Sequence, residues 1–197
     1  MGDIENHRHP KATYILGLDL ARHGKDESAF VVIEQAPFKQ DLRVVYIDTT
    51  NDKPLTDAIG RVISLHSKFS FSKVYIDETG LGSGVVDVLK EKLGHIVEGF
   101  TFTMKSKGDL VSNLKLLMQQ GRLKIPMPNN SDNNTKKLAF QFAAVQHEYN
   151  STGAIKVFHE EGKTHDDIVM ALSLAVWHFR PSRSMKRGYG LAGGGIS

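Results

Sequence analysis

The sequence predicts an α/β fold: a mixed central sheet, made of an antiparallel three-strand meander plus parallel strands, with helices on both faces. Three observations predict it. Apolar runs of strand length crowd the first quarter of the chain, parted by polar segments. From Pro54 onward, such runs alternate with stretches of helical spacing. Residues 166–179 are apolar nearly all round, as in a buried helix. A chain of 197 residues is long enough for one good-sized core and short for two.

Each element has its own signal. Thr13–Asp19, Ala29–Glu34 and Leu42–Asp48 read as the meander, the first two joined by a polar segment, Leu20–Ser28, that contains Gly24. Pro54 opens a helix with Leu55, Ile59, Val62, Ile63 and His66 at helical spacing. Val74–Asp77 is a short strand, and the glycine-rich turn Gly80–Gly84 leads into a helix through Val85, Val88, Leu89 and Lys92. Ile96–Phe102 is a fifth strand. Helices follow over Gly108–Gln120 and Asp132–Gln146. Two extended runs within Glu148–Phe158, around Asn150-Ser151-Thr152-Gly153, predict a hairpin. Residues 1–12 read as a flexible leader, 13–180 as the folded domain, and 181–197 as a flexible basic, Gly-rich tail.

Composition narrows the chemistry. Cysteine is absent, which excludes a disulfide scaffold, a thiolate zinc site and a cysteine nucleophile. No apolar run approaches the roughly 20 residues a membrane span needs, so no membrane partner is expected. The formal net charge is +3. Lys105, Lys107, Lys115, Arg122, Lys124, Lys136 and Lys137 face only Asp109 and Asp132 in the same stretch, and the tail adds Arg180, Arg183, Lys186 and Arg187. Any one of these is at home on a solvated surface. Their imbalance over half the chain fits a nucleic-acid partner.

Three acidic sites stand out. Asp19 ends the apolar strand Tyr14-Ile15-Leu16-Gly17-Leu18-Asp19, Asp77 ends Val74-Tyr75-Ile76-Asp77, and Asp166 and Asp167 open the most apolar helix. A carboxylate at the end of a buried strand is costly unless paired or bound to a cation. Oxygen donors without Cys suit Mg²⁺ or Mn²⁺ better than zinc. Each acid alone has a structural explanation. Asp19 and Asp77 can accept backbone bonds from the turns that follow them. Thr164-His165-Asp166-Asp167 fits a capping box with Thr164 as N-cap. The three sites together favour a metal. Rival motifs are weaker. Gly80-Leu81-Gly82-Ser83-Gly84 would need its third fingerprint glycine at Val85. No Gly-x-x-x-x-Gly-Lys-Ser/Thr loop, zinc-spaced His pair or Gly-x-Ser-x-Gly elbow occurs.

Gly17-Leu18-Asp19-Leu20-Ala21, Tyr75-Ile76-Asp77-Glu78-Thr79-Gly80 and His165-Asp166-Asp167-Ile168-Val169-Met170-Ala171, in that order, resemble the nuclease domain of the large terminase subunit of tailed bacteriophages. The resemblance covers roughly Thr13–Arg180. It implies a ribonuclease H-like fold and metal-dependent endonuclease cleavage of concatemeric double-stranded DNA during packaging, in the host cytoplasm. It also implies two Mg²⁺ or Mn²⁺ ions per site, held by Asp19, Asp77 and Asp167 with Asp166 as accessory. Glu78 competes with Asp77 for the second position, and Asp26 is a further candidate. Lys105 and Lys107 are candidate phosphate contacts. The hairpin matches an element near the DNA groove of relatives. The implied partners are DNA and, in the full-length subunit, a packaging ATPase domain, the capsid portal and the small terminase subunit. The alternatives are another ribonuclease H-like nuclease or resolvase, and a non-catalytic nucleic-acid-binding module.

Overall fold

The computed structural model describes residues 9–21, 27–51, 53–128, 132–144, 146–149, 155–158 and 166–181. The proposed leader and tail, apart from their innermost residues, lie outside these, as do Asp26 and the capping residue Thr164.

The meander forms as the sequence predicts. Strands β1 (Thr13–Asp19), β2 (Glu27–Gln35) and β3 (Leu42–Asn51) pair antiparallel. Helix α1 (Leu55–Phe69) then crosses to β4 (Lys73–Asp77), which lies parallel to β1, and α2 (Gly82–Leu93) leads to β5 (Val97–Phe100), parallel to β4. Helix α3 (Met104–Gln119) is followed by a two-residue edge strand, β6 (Leu123–Lys124), parallel to β3. The sheet order is β5-β4-β1-β2-β3-β6. Helix α4 (Asn133–Ala144), the separate hairpin β7 (Gln146–Tyr149) and β8 (Ile155–Phe158), and helix α5 (Asp167–Trp177) complete the chain.

Strand alternation divides the core into two layers. Leu16, Leu18, Phe30, Val32, Val74 and Ile76 point to α1 and α2, where Ala58, Val62, Leu65, Val85 and Leu89 meet them. The buried stripe of α1 is Ala58, Val62, Leu65 and Phe69; of the residues expected there, Val62 is buried and Leu55, Ile59 and Ile63 pack partly buried against the same core. Ala29, Val31 and Ile33 point the other way, to α3, α4 and α5, as do Ile15 and Tyr75. Residues 168–176 are all buried, which accounts for an α5 that is apolar on every side.

Of the differences from expectation, three have a clear physical reason. Helix α3 begins at Met104 rather than Gly108, because Thr103 and Ser106 form a capping box upstream of the glycine. Strand β6 is too short to leave a periodic pattern. The hairpin ladder starts at Gln146, a residue the helical spacing of α4 had claimed.

Candidate active site

The site is built at one edge of the sheet by the same alternation. Ile15, Gly17 and Asp19 share the face of β1 that α5 covers, and Tyr75 and Asp77 share that face of β4. The parallel register Gly17↔Tyr75 and Leu18↔Ile76 then sets Asp19 beside Asp77 at the strand ends. Helix α5 brings Asp166 and Asp167 to the same edge. Asp19 is 8% exposed and Asp77 2%.

Glycines make these approaches possible. A Cβ on Gly17 would lie 2.0 Å from the Ala171 carbonyl oxygen and 2.6 Å from the Ala175 nitrogen, so only glycine lets α5 rest this near β1. A Cβ on Gly82 would lie 2.0 Å from the Asp77 carbonyl oxygen, and Gly80 holds φ +65°. The glycine-rich turn thus packs α2 against the end of β4. That explains its composition without a nucleotide.

The electrostatics centre on Asp19. Burial, then the Asp167, Asp77 and Asp166 carboxylates in that order, hold its carboxyl well above the usual carboxylate range, while Lys107 pulls it down. Lys107 lies in the first turn of α3, its Nζ 4.0 Å from Asp166 Oδ2 and 5.1 Å from the centre of the Phe102 ring. The carboxylates also have partners in the fold. Asp77 Oδ1 accepts the Thr79 amide at 2.9 Å and the Thr79 hydroxyl, and Asp167 Oδ2 accepts the Glu27 amide at 3.4 Å. Among the described residues, no three His, Asp or Glu side chains are already gathered as a metal centre. The donor set nevertheless suits a hard divalent cation. It is all oxygen, it is anionic, and its central member is buried among like charges.

The structure therefore brings Asp19, Asp77, Asp166, Asp167 and Lys107 together. It places Glu78 elsewhere. Glu78 follows Val74 and Ile76 onto the opposite face, where its side chain covers Gly99 and Oε1 accepts the Thr101 hydroxyl at 2.8 Å. Lys105 is exposed. Asp26 lies outside the described residues. The capping-box reading of Asp167 also changes. The N-cap of α5 is Asp166, which makes no side-chain cap bond, and Asp167 is the first helical residue rather than the third.

Sequence reasoning missed three residues. Glu27 opens β2 beside Asp167, and Lys137 of α4 binds both its oxygens at 2.6 and 2.7 Å. Gln141 of α4, 6% exposed, accepts the Ile168 and Val169 amides at 3.0 and 3.2 Å. Neither Glu27 nor Lys137 nor Gln141 left a local signal, because their partners are far off in sequence.

The terminase RNaseH-like domain family matches residues 16–179. The chain belongs to this family. Among curated proteins, the terminase large subunit of Thermus virus P23-45 is 27% identical over 178 residues, covering 87% of this chain and 33% of that protein. The chain spans about a third of the length of the curated relatives it matches. Among solved structures, the large terminase nuclease of thermophilic phage G20c with bound magnesium is 25% identical with a TM-score of 0.68, covering 85% of this chain and 82% of that one. The nuclease domain of the Thermus phage P74-26 large terminase, 24% identical, covers 93% of this chain and 86% of that one, also with a TM-score of 0.68. The ribonuclease H-like fold is thus that of terminase nuclease domains.

Proposed function

We propose that this terminase domain is a divalent-metal-dependent endonuclease that cuts concatemeric double-stranded DNA during viral genome packaging in the host cell. One observation carries the reading: a buried Asp19 facing Asp77, Asp166 and Asp167 at the edge where two strands and a helix end. The G20c relative, solved with magnesium, supports the choice of metal. Asp19, Asp77 and Asp167 would hold Mg²⁺ or Mn²⁺, two ions per site, with Asp166 as accessory. When bound, the ions would supply an activated water and neutralise charge on the leaving 3′-oxygen.

The chain's own residues set the rest. Asp19 lies centrally, within electrostatic reach of the other three acids, so it would be the central residue holding the ions. Lys107 stands over the same edge as a cation for a backbone phosphate. Contacts to phosphate carry little sequence information, so the domain alone cuts with low specificity and binds more weakly as salt rises. In the full-length protein the partners are the packaging ATPase domain, the portal and the small subunit.

A plasmid cleavage assay tests this. The domain is expected to nick and linearise DNA with Mn²⁺ or Mg²⁺ and to be inert in EDTA. Undiminished cleavage in EDTA removes the metal mechanism. DNA retention with no cleavage in either metal favours a binding module.

A further inference from the structure

We propose that Gln141 is a positioning residue for the metal site: by capping α5 from a neighbouring helix, it keeps the Asp166 and Asp167 carboxylates from being drawn onto their own helix amides, where they would be poorer ligands for a divalent cation. The inference rests on the metal-binding reading above.

A helix leaves its first backbone N–H groups without intrahelical partners, and an Asp at the N-cap is among the side chains that best satisfy them. A helix opened by two aspartates is therefore expected to consume one carboxylate as its own cap. Here it does not. Asp166 occupies the N-cap and makes no side-chain cap bond. The Ile168 and Val169 amides donate instead to a single acceptor, Gln141 Oε1, at 3.0 and 3.2 Å. Both bonds are buried and span 27 and 28 residues of sequence.

The choice of acceptor matters. A neutral amide oxygen satisfies the donors without adding a further negative charge beside Asp19, where burial and three carboxylates already act. Gln141 also ties the start of α5 to α4, whose Lys137 holds Glu27 and whose Asn134 side chain donates to the Ile47 carbonyl at 3.1 Å. The helix start is thereby fixed to the sheet edge by α4. Without the Gln141 carbonyl, the cheapest replacement acceptor is a carboxylate of Asp166 or Asp167, drawn back onto its own helix. A carboxylate so engaged is a poorer metal ligand.

The test compares Mn²⁺ binding, followed by calorimetry or electron paramagnetic resonance, with the metal-free melting temperature. In Gln141→Met, which lacks the acceptor, the Mn²⁺ dissociation constant is expected to rise about 10–100-fold, the usual range for partners that orient a ligand. A role in stability alone predicts a lower melting temperature in Gln141→Met with unchanged Mn²⁺ affinity of the folded protein, and that result overturns the proposal.

A measurement on the unmodified chain covers the case where Gln141→Met does not fold. Saturating Mg²⁺ should leave hydrogen-exchange protection of the Ile168 and Val169 amides unchanged, since Gln141 and not a carboxylate holds them. Loss of that protection on metal binding overturns the proposal. No Mn²⁺ binding by the wild-type chain would remove the metal reading itself along with it. Wild-type binding that Gln141→Met retains removes this inference alone.

Discussion

Gly17→Ala asks whether the close approach of α5 to β1 sets the site. The new Cβ would stand 2.0 Å from the Ala171 carbonyl oxygen and 2.6 Å from the Ala175 nitrogen. Both are backbone atoms, so no side chain can swing aside. Ordinary contact begins at 3.4 Å, so α5 must retreat by about 1.4 Å or β1 must bend. Overpacking of this kind costs about 1–3 kcal/mol, which for a domain of this size lowers the melting temperature by roughly 2–12 °C. The effect on cleavage should be larger. Asp167 rides on α5 and Asp19 on β1, and a misplacement of about 1 Å in a catalytic group can cost roughly 100-fold. Metal-dependent plasmid nicking, measured well below the variant's own melting point, separates the two effects. Gly60→Ala is the control. It lies inside α1 with nothing within 4 Å of its Cβ, so it should gain about 0.5–1 kcal/mol and keep full activity. If Gly17→Ala melts and nicks like wild type, the reasoning about helix approach is refuted.

Two further substitutions probe the charge cluster and the entry of α3. Asp19→Asn should abolish cleavage yet raise the metal-free melting temperature, whereas a purely structural Asp19 predicts a loss of about 1–3 kcal/mol. The pH dependence follows from the raised carboxyl of Asp19, which burial causes first and the Asp167, Asp77 and Asp166 carboxylates reinforce. The native state holds that proton more tightly than the unfolded chain, so wild-type stability falls as pH rises from the unfolded value of about 3.9 through the native one. The advantage of Asp19→Asn in circular dichroism melts should therefore shrink on acidification; an advantage that grows would contradict the assignment. Thr103→Ala removes the hydroxyl that accepts the Ser106 amide at 3.1 Å, and should cost about 1 kcal/mol, or roughly 2–4 °C in melting temperature. No change in the melt would mean that the α3 cap is already satisfied another way.

Legibility in the sequence followed the range of the forces involved. The bounds of β1 were readable to the residue, because alternation ends where Asp19 interrupts it. Asp77 and the Asp166–Asp167 pair stood out for the same reason, charges against an apolar run, but the pattern did not choose within the pair. The start of α3 was not, because Gly108 imitates a boundary and the Thr103–Ser106 box carries Ser where a Glu or Gln signals it more strongly. Choosing between Asp77 and Glu78 required the register of β4, since adjacent strand residues face opposite ways. Gly17 did leave a signal. A glycine inside an otherwise apolar strand marks a close backbone approach, here to Ala171 and Ala175. Gln141 and Lys137 left none, for their partners in β2 and α5 are adjacent only after folding.

The edge carries a fifth carboxylate, and its treatment by the fold separates a structural acid from a candidate ligand. Glu27 has the same parity as Ala29 and Val31, so it faces α5, and its amide reaches Asp167. Burial works against its ionisation, but the bonds from Lys137 and Thr49 and the charge of Lys137 outweigh that, and its carboxyl lies below the ordinary value. Glu27 is thus ionised and already neutralised by a lysine in direct contact. Asp19 is treated in the opposite way. Its main electrostatic neighbours are other carboxylates, and among the described residues the cation acting on it, Lys107, stands 4.0 Å from Asp166 and offsets only part of the repulsion. A fold that needed only to bury these aspartates would be served by a lysine placed as Lys137 is. Among the described residues, Asp19 thus feels three carboxylates against one lysine. An oxygen-seeking divalent cation would relieve that imbalance, as the proposed phosphodiester cleavage requires.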